Sequence, residues 1–168
     1  MDTQDADQAP ESRPPTLNDL VSLCRQLNKA GGKYVIIGGM AIIQAGLARA
    51  TEDIDLLVEK SEENFHKIRQ GLLTLPDRAI EELKDGELQQ YGVVRIADEF
   101  VVDLMLSACG IDFPEAERHI EVVDIQRVKI PFAQPELLWR MKQTMRERQP
   151  RHPVSSGAPW QTETMRKV

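Results

Sequence analysis

Asp53 and Asp55 flank Ile54 in the run Glu52-Asp-Ile-Asp-Leu-Leu-Val58. Side chains two apart on an extended strand share a face, so both carboxylates project together while Ile54 and Leu56 turn to the core. Two neighbouring carboxylates repel, and either one keeps a proton or a cation sits between them. Hard oxygen ligands suit Mg²⁺ or Mn²⁺, and Mg²⁺ typically uses one or two carboxylates together with phosphate oxygens. A third acid, Asp103, stands in Glu99-Phe-Val-Val-Asp-Leu-Met-Leu106. Phe100, Val102, Leu104 and Leu106 form one apolar face of that strand and Asp103 lies on the other. An unpaired carboxylate in such a strand is costly. Asp103 therefore needs a partner, either a nearby Arg or Lys or a metal shared with Asp53 and Asp55. Acids in this arrangement could hold two metals roughly 3.5–4 Å apart, clamping the attacking and leaving oxygens of an in-line phosphoryl displacement.

Upstream of the acid pair lie Gly38 and Gly39, at the end of the apolar run Tyr34-Val-Ile-Ile37. Residues without Cβ let backbone N–H groups approach a ligand, and a helix starting at Met40 favours an anion such as a triphosphate. Arg49 is placed to contact phosphate or to form a salt bridge. Thr51 is placed to bond phosphate or to brace its loop. Each feature alone has a plain structural explanation: a solvated strand end, a tight turn, an ion pair. Their order along one chain favours a site. Lys142 reads as solvated, His66, His119 and His152 lack metal-ligand spacing, and Trp139 and Trp160 are isolated.

The elements that must position these residues follow from periodicity and punctuation. Thr16 caps a helix over 17–29 carrying Leu17, Leu20, Val21, Cys24 and Leu27, with Gly31 and Gly32 as its stop. Tyr34–Ile37 reads as a strand entering the glycine turn, 40–48 as a short helix, and 54–58 as a second strand. Ser61 caps a helix bearing Phe65, Ile68 and Leu72, with Pro76 beyond it, and a short helix near 78–84 follows. Residues 91–96 and 99–106 read as a hairpin turning at Ala97-Asp98. Short strands at 121–124 and 127–130 precede a helix from Pro135 to about Arg146 with Leu137, Leu138 and Met141 as its stripe. This predicts an α+β fold, a small mixed sheet with helices packed mainly on one face. Its expected organisation is a disordered polar arm at 1–15, a domain at 16–146 and a loose tail at 147–168.

The chain of 168 residues suits one domain with a real core, and 41% hydrophobic with 29% charged residues is ordinary for a soluble globular protein. A net charge of −6 gives no bulk electrostatic basis for non-specific nucleic-acid binding. The basic cluster of Arg140, Lys142, Arg146, Arg148 and Arg151 is read as a solvated helix face and tail. Cys24 and Cys109, each among apolar residues and without CxxC spacing, are expected to be buried free thiols rather than zinc ligands. The acidic, polar N-terminus does not look like a signal peptide, and no apolar run is long enough to span a bilayer. A cytoplasmic location without membrane association is expected.

In Tyr34-Val-Ile-Ile-Gly-Gly-Met-Ala41, Arg49-Ala-Thr-Glu-Asp-Ile-Asp-Leu-Leu-Val58 and Phe100-Val-Val-Asp-Leu-Met105, the chain resembles the DNA polymerase beta-like nucleotidyltransferase superfamily. Among its branches it looks most like the minimal and the abortive-infection toxin type nucleotidyltransferases of prokaryotes. The resemblance covers roughly residues 17–146 and is densest from 34 to 58. It implies Asp53, Asp55 and Asp103 as ligands for Mg²⁺ or Mn²⁺, with Asp103 also a base for the acceptor hydroxyl, and Gly38 and Gly39 at the triphosphate. The implied chemistry is attack of an acceptor hydroxyl on the α-phosphate of an NTP, with pyrophosphate leaving. The expected acceptor is an RNA, a protein or a small molecule, and the resemblance alone suggests a toxin–antitoxin pair as the setting. At the C-terminal end Arg146-Glu-Arg-Gln-Pro150 lacks the aspartate of the Arg-x-Lys-Asp-like stretch found in relatives. That departure keeps a second expectation open: a non-catalytic nucleotide-binding or antitoxin-like module on the same fold.

Overall fold

The structure, a computed structural model, describes residues 11–148. Of the expected arm, residues 1–10 lie outside the described residues, as does the tail beyond Arg148. Residues 12 and 13 are held against the body. Ser12 Oγ donates to the Asp98 carbonyl at 2.7 Å and the Arg13 backbone N–H donates to the Glu99 carbonyl at 2.9 Å.

Helix α1 (Leu17–Ala30) begins in a capping box: Thr16 Oγ1 accepts from the Asp19 N–H while the Asp19 carboxylate accepts from the Thr16 N–H. Such a cap stabilises a helix by about 1 kcal/mol. Its stripe, Leu20, Val21, Leu23, Cys24 and Leu27, is buried. Then come β1 (Tyr34–Ile37), α2 (Gly38–Gln44) and β2 (Asp53–Val58). Helix α3 (Glu62–Leu72) is capped by Ser61 as expected, and a 3₁₀ turn (Ala79–Glu82) stands for the short helix predicted near 78–84. The fold continues through α4 (Glu87–Tyr91), β3 (Val93–Ala97), β4 (Val101–Met105), β5 (Ser107–Ala108) and β6 (Ile111–Asp112). It closes with α5 (Phe113–Ala116), β7 (Ile120–Ile125), β8 (Val128–Ala133) and α6 (Pro135–Arg148). Glu147 and Arg148, expected in the tail, belong to α6.

Six strands form one mixed sheet in the order β3-β4-β2-β1-β8-β7, and β5-β6 form a separate pair. Odd and even positions along each strand feed different layers. Tyr34, Ile36, Ile54, Leu56, Val102 and Leu104 join α1 and α3 in the main core. Val35, Ile37 and Leu57 face the other way and meet α5 and α6 through Phe113, Leu137 and Met141. This second layer covers only part of its sheet face. The α+β architecture and the helices stacked mainly on one face agree with the sequence reading.

Three local differences have physical reasons. The β3–β4 turn is Asp98-Glu99-Phe100 rather than Ala97-Asp98, because the register closes at Ala97↔Val101. Buried Asp98 fixes this turn by accepting backbone N–H bonds from Asp77 at 3.0 Å, Ala79 at 2.9 Å and Glu99 at 2.8 Å. Strand β8 runs past Pro131 to Ala133, although proline in a strand predicts a stop. Antiparallel pairs alternate between bonded and non-bonded. From the closing pair Ile125↔Val128, Pro131 falls at a non-bonded position opposite Val122, so the β7 ladder loses no N–H, and on its other side β8 pairs with β1 at Ile36↔Phe132 alone. Finally, Cys24 is buried, and burial pushes its thiol up to about 12, but Cys109 is only partly buried, at φ 53° beside Gly110 in the β5–β6 connection.

Candidate functional site

Sheet register assembles the site. Ile37 is opposite Asp55, Asp55 opposite Asp103, and Asp103 opposite Arg95, so one row crosses four adjacent strands. Ile37 belongs to the apolar half of that face. The acids occupy the half that α5 and α6 leave open. Asp53, one pleat earlier on β2, completes the group: one ligand oxygen from each of Asp53, Asp55 and Asp103 lies within 4.8 Å of the others. Asp103 is buried, and Asp53 and Asp55 are half-buried.

The glycine pair sits directly against these acids. Gly38 has φ +66°, a conformation natural to glycine, and a Cβ there would run into the Asp55 carboxylate. A Cβ on Gly39 would lie 2.5 Å from Thr51 Oγ1. Thr51 in turn donates from Oγ1 to the Asp53 carbonyl at 2.8 Å, the loop-bracing alternative of the sequence reading. The structure thus brings Gly38, Gly39 and Thr51 to the acids. Arg49 forms no salt bridge among the described residues. It is exposed and, with Leu17, Leu20, Met40, Ile43 and Thr51, lines a largely apolar hollow of about 430 Å³ between α1, α2 and the 49–51 loop.

Sequence reasoning missed Arg95. Its Nε donates to Asp103 Oδ1 at 3.0 Å and its Nη2 to Asp103 Oδ2 at 3.0 Å, a bidentate pair, and Nη2 also reaches Asp53 Oδ2 at 3.3 Å. Asp103 therefore has its partner without a metal. The signal was an arginine in the strand paired with Asp103, but a turn at Ala97-Asp98 sets Arg95 opposite Phe100. Only the longer turn anchored by Asp98 brings it to Asp103.

Electrostatics strain the cluster. Burial, then the negative charges of Asp53 and Asp103, push the Asp55 carboxyl up to about 7 against the opposing pull of Arg95. Burial and Asp103 likewise raise Asp53, while its bonds to Asp103 hold Arg95 above the usual guanidinium value. One guanidinium faces three carboxylates, so full ionisation leaves a surplus of two negative charges, the charge of one divalent cation. Among the described residues Asp55 has no salt bridge, and the side chain it meets by hydrogen bonding is another acid, Asp103. The oxygen-only donor set, its convergence and this charge surplus fit Mg²⁺ or Mn²⁺.

No protein-family model and no curated protein matches the sequence. Among solved structures, the fold matches a Thermotoga maritima protein described as a candidate nucleotidyltransferase. The TM-score is 0.55 at 15% identity, over 78% of this chain and 84% of that one. The fold defined by the sheet and its helices is nucleotidyltransferase-like. Among the described residues no helix is long and apolar enough to cross a membrane.

Proposed function

We propose that this chain is a metal-dependent nucleotidyltransferase that moves a nucleoside monophosphate from an NTP to an acceptor hydroxyl. The observation that carries the reading is the convergence of Asp53, Asp55 and Asp103 on the open half of a nucleotidyltransferase-like sheet. Asp53 and Asp55 are the ligands for Mg²⁺ or Mn²⁺, and Asp103 is the third ligand and the base for the acceptor hydroxyl. The bound cation would neutralise charge on the triphosphate and on the phosphoryl group in transfer. The rigid sheet fixes the carboxylates relative to one another. Gly38 and Gly39 let the Asp55 carboxylate and Thr51 pack directly against their backbone, which sets this turn beside the acids, where the triphosphate would lie. Thr51 holds the loop that delivers Asp53. Arg49, on the hollow beside that loop, is a candidate contact for phosphate or acceptor.

The acceptor is an RNA 3′ end, a protein hydroxyl or a small molecule. By resemblance, a cytoplasmic toxin–antitoxin pair is the setting we favour. One observation favours a second reading, a nucleotide-binding or antitoxin-like module without turnover: Arg95 already grips both oxygens of Asp103.

A transfer assay separates them. The protein is incubated with Mg²⁺ or Mn²⁺, each α-labelled NTP in turn and a cell extract, with Asp53→Asn and Asp55→Asn variants alongside. Label entering RNA, protein or a small molecule only with both acids intact supports the enzyme and names the acceptor class. Undiminished transfer by Asp55→Asn overturns the mechanism. Metal-dependent NTP binding without transfer moves the assignment to the second reading.

A further inference from the structure

Arg95 sits on β3, the edge strand of the sheet, and its side chain is 64% exposed, whereas that of Asp103, which it grips, is 9% exposed. The bidentate pair occupies both carboxylate oxygens of Asp103, the atoms a metal would need. Asp55, by contrast, faces the same cluster with no cationic partner among the described residues. Two ligands of the three-acid group are therefore unequal: one is open and one is held.

We propose that Arg95 is a gate on Asp103, an internal cation that competes with the metal for the third carboxylate. The resting site takes one divalent ion through Asp55 and Asp53. Asp103 becomes a ligand or a base only when the arginine withdraws. This rests on the metal-site reading above and adds an order of events to it. The geometry lets the arm leave easily. Among the described residues no strand pairs with the outer side of β3, and most of the Arg95 side chain is exposed, so withdrawal needs little repacking. Staying has a cost once a dication arrives, because Arg95 Nη2 also touches Asp53 and would lie beside the incoming positive charge. Metal and arginine thus compete at Asp103, by charge and for the same two oxygens.

The test is a double-mutant cycle read by Mn²⁺ binding, using calorimetry and electron paramagnetic resonance on the full chain without nucleotide. Asp103→Asn keeps the shape of the side chain, and Arg95→Gln removes the charge while keeping most of the stem. In the parent protein, Asp103→Asn should leave Mn²⁺ affinity within about twofold, because Asp103 is not yet a ligand. Arg95→Gln alone should tighten Mn²⁺ binding by about tenfold, a solvent-screened value for removing one nearby positive charge. In the Arg95→Gln background, Asp103→Asn should then cost about tenfold, since the freed carboxylate has become a ligand. Equal costs of Asp103→Asn in the two backgrounds overturn the gate and leave the metal site standing. Loss of Asp55-dependent Mn²⁺ binding in every form overturns the metal site, and the gate with it. Should Asp103→Asn not fold, the change in Mn²⁺ affinity of Arg95→Gln decides: unchanged or weaker binding overturns the gate.

Discussion

The tightest constraint at the level of single residues is the contact between Gly38 and Asp55. The glycine combines a left-handed backbone with a carboxylate packed where its Cβ would be, at 2.9 Å from Asp55 Cγ. Alanine there must strain the backbone and displace the carboxylate together. Gly38→Ala is expected to lower stability by about 1–3 kcal/mol and to weaken Asp55-dependent Mn²⁺ binding. Chemical denaturation and a Mn²⁺ titration check the two effects separately. A stable variant with unchanged Mn²⁺ affinity would mean that Asp55 does not depend on this gap. At this scale much of the site was readable. Period-two spacing put Asp53 and Asp55 on one face and Asp103 opposite its apolar neighbours, and the strands do carry them so. Arg95 was not readable, because its place depends on contacts made far away in sequence. Asp98 fixes the turn with N–H groups from Asp77 and Ala79, and nothing local announces that.

Elements obeyed the same division between local and distant causes. Capped or glycine-punctuated segments with a clear stripe, such as α1, α3 and α6, stand where periodicity sets them. Helix α4 and the small β5-β6-α5 segment have few residues and no full period, so tertiary packing decides them. The β7–β8 turn is a further case. Gln126 and Arg127 both have positive φ, 52° and 67°, without the Asn-Gly pair that usually marks such a turn. Holding an ordinary side chain there costs roughly 1–2 kcal/mol. Arg127→Gly is therefore expected to stabilise the protein by about 1 kcal/mol, measured as a shift of the urea midpoint with unchanged slope. A lower midpoint would show that Arg127 makes contacts worth more than its backbone strain.

For the molecule as a whole, the segment before α1 ties the helical layer to the β3–β4 turn. Arg13 pairs with Asp19 at 2.6 Å and Glu99 at 3.1 Å and lies 5.7 Å from the centre of the Phe100 ring. Its hydrogen bonds hold the Asp19 carboxyl at about 2, below the ordinary 3.8. A carboxyl depressed on folding contributes stability above its unfolded value, and that contribution fades as pH falls through the folded one. Acid should therefore loosen this tie between pH 3.8 and about 2. In thermal melts, Asp19→Asn should cost stability at neutral pH and show a shallower loss than the parent across that window. Parallel losses would place the acid sensitivity elsewhere.

The row from Ile37 through Asp55 and Asp103 to Arg95 also acts as a parity check on folding. A slip of β2 by one position would drive Asp53 and Asp55 into the main core and turn Ile54 and Leu56 out to water. The desolvation penalty of two buried carboxylates is several kcal/mol, enough to consume most of a small domain's stability. Misaligned chains are thus rejected as unfolded before they can persist as folded but inert copies. Quality control of the chemistry is delegated to the hydrophobic effect, and a molecule that passes as folded carries its acids in line.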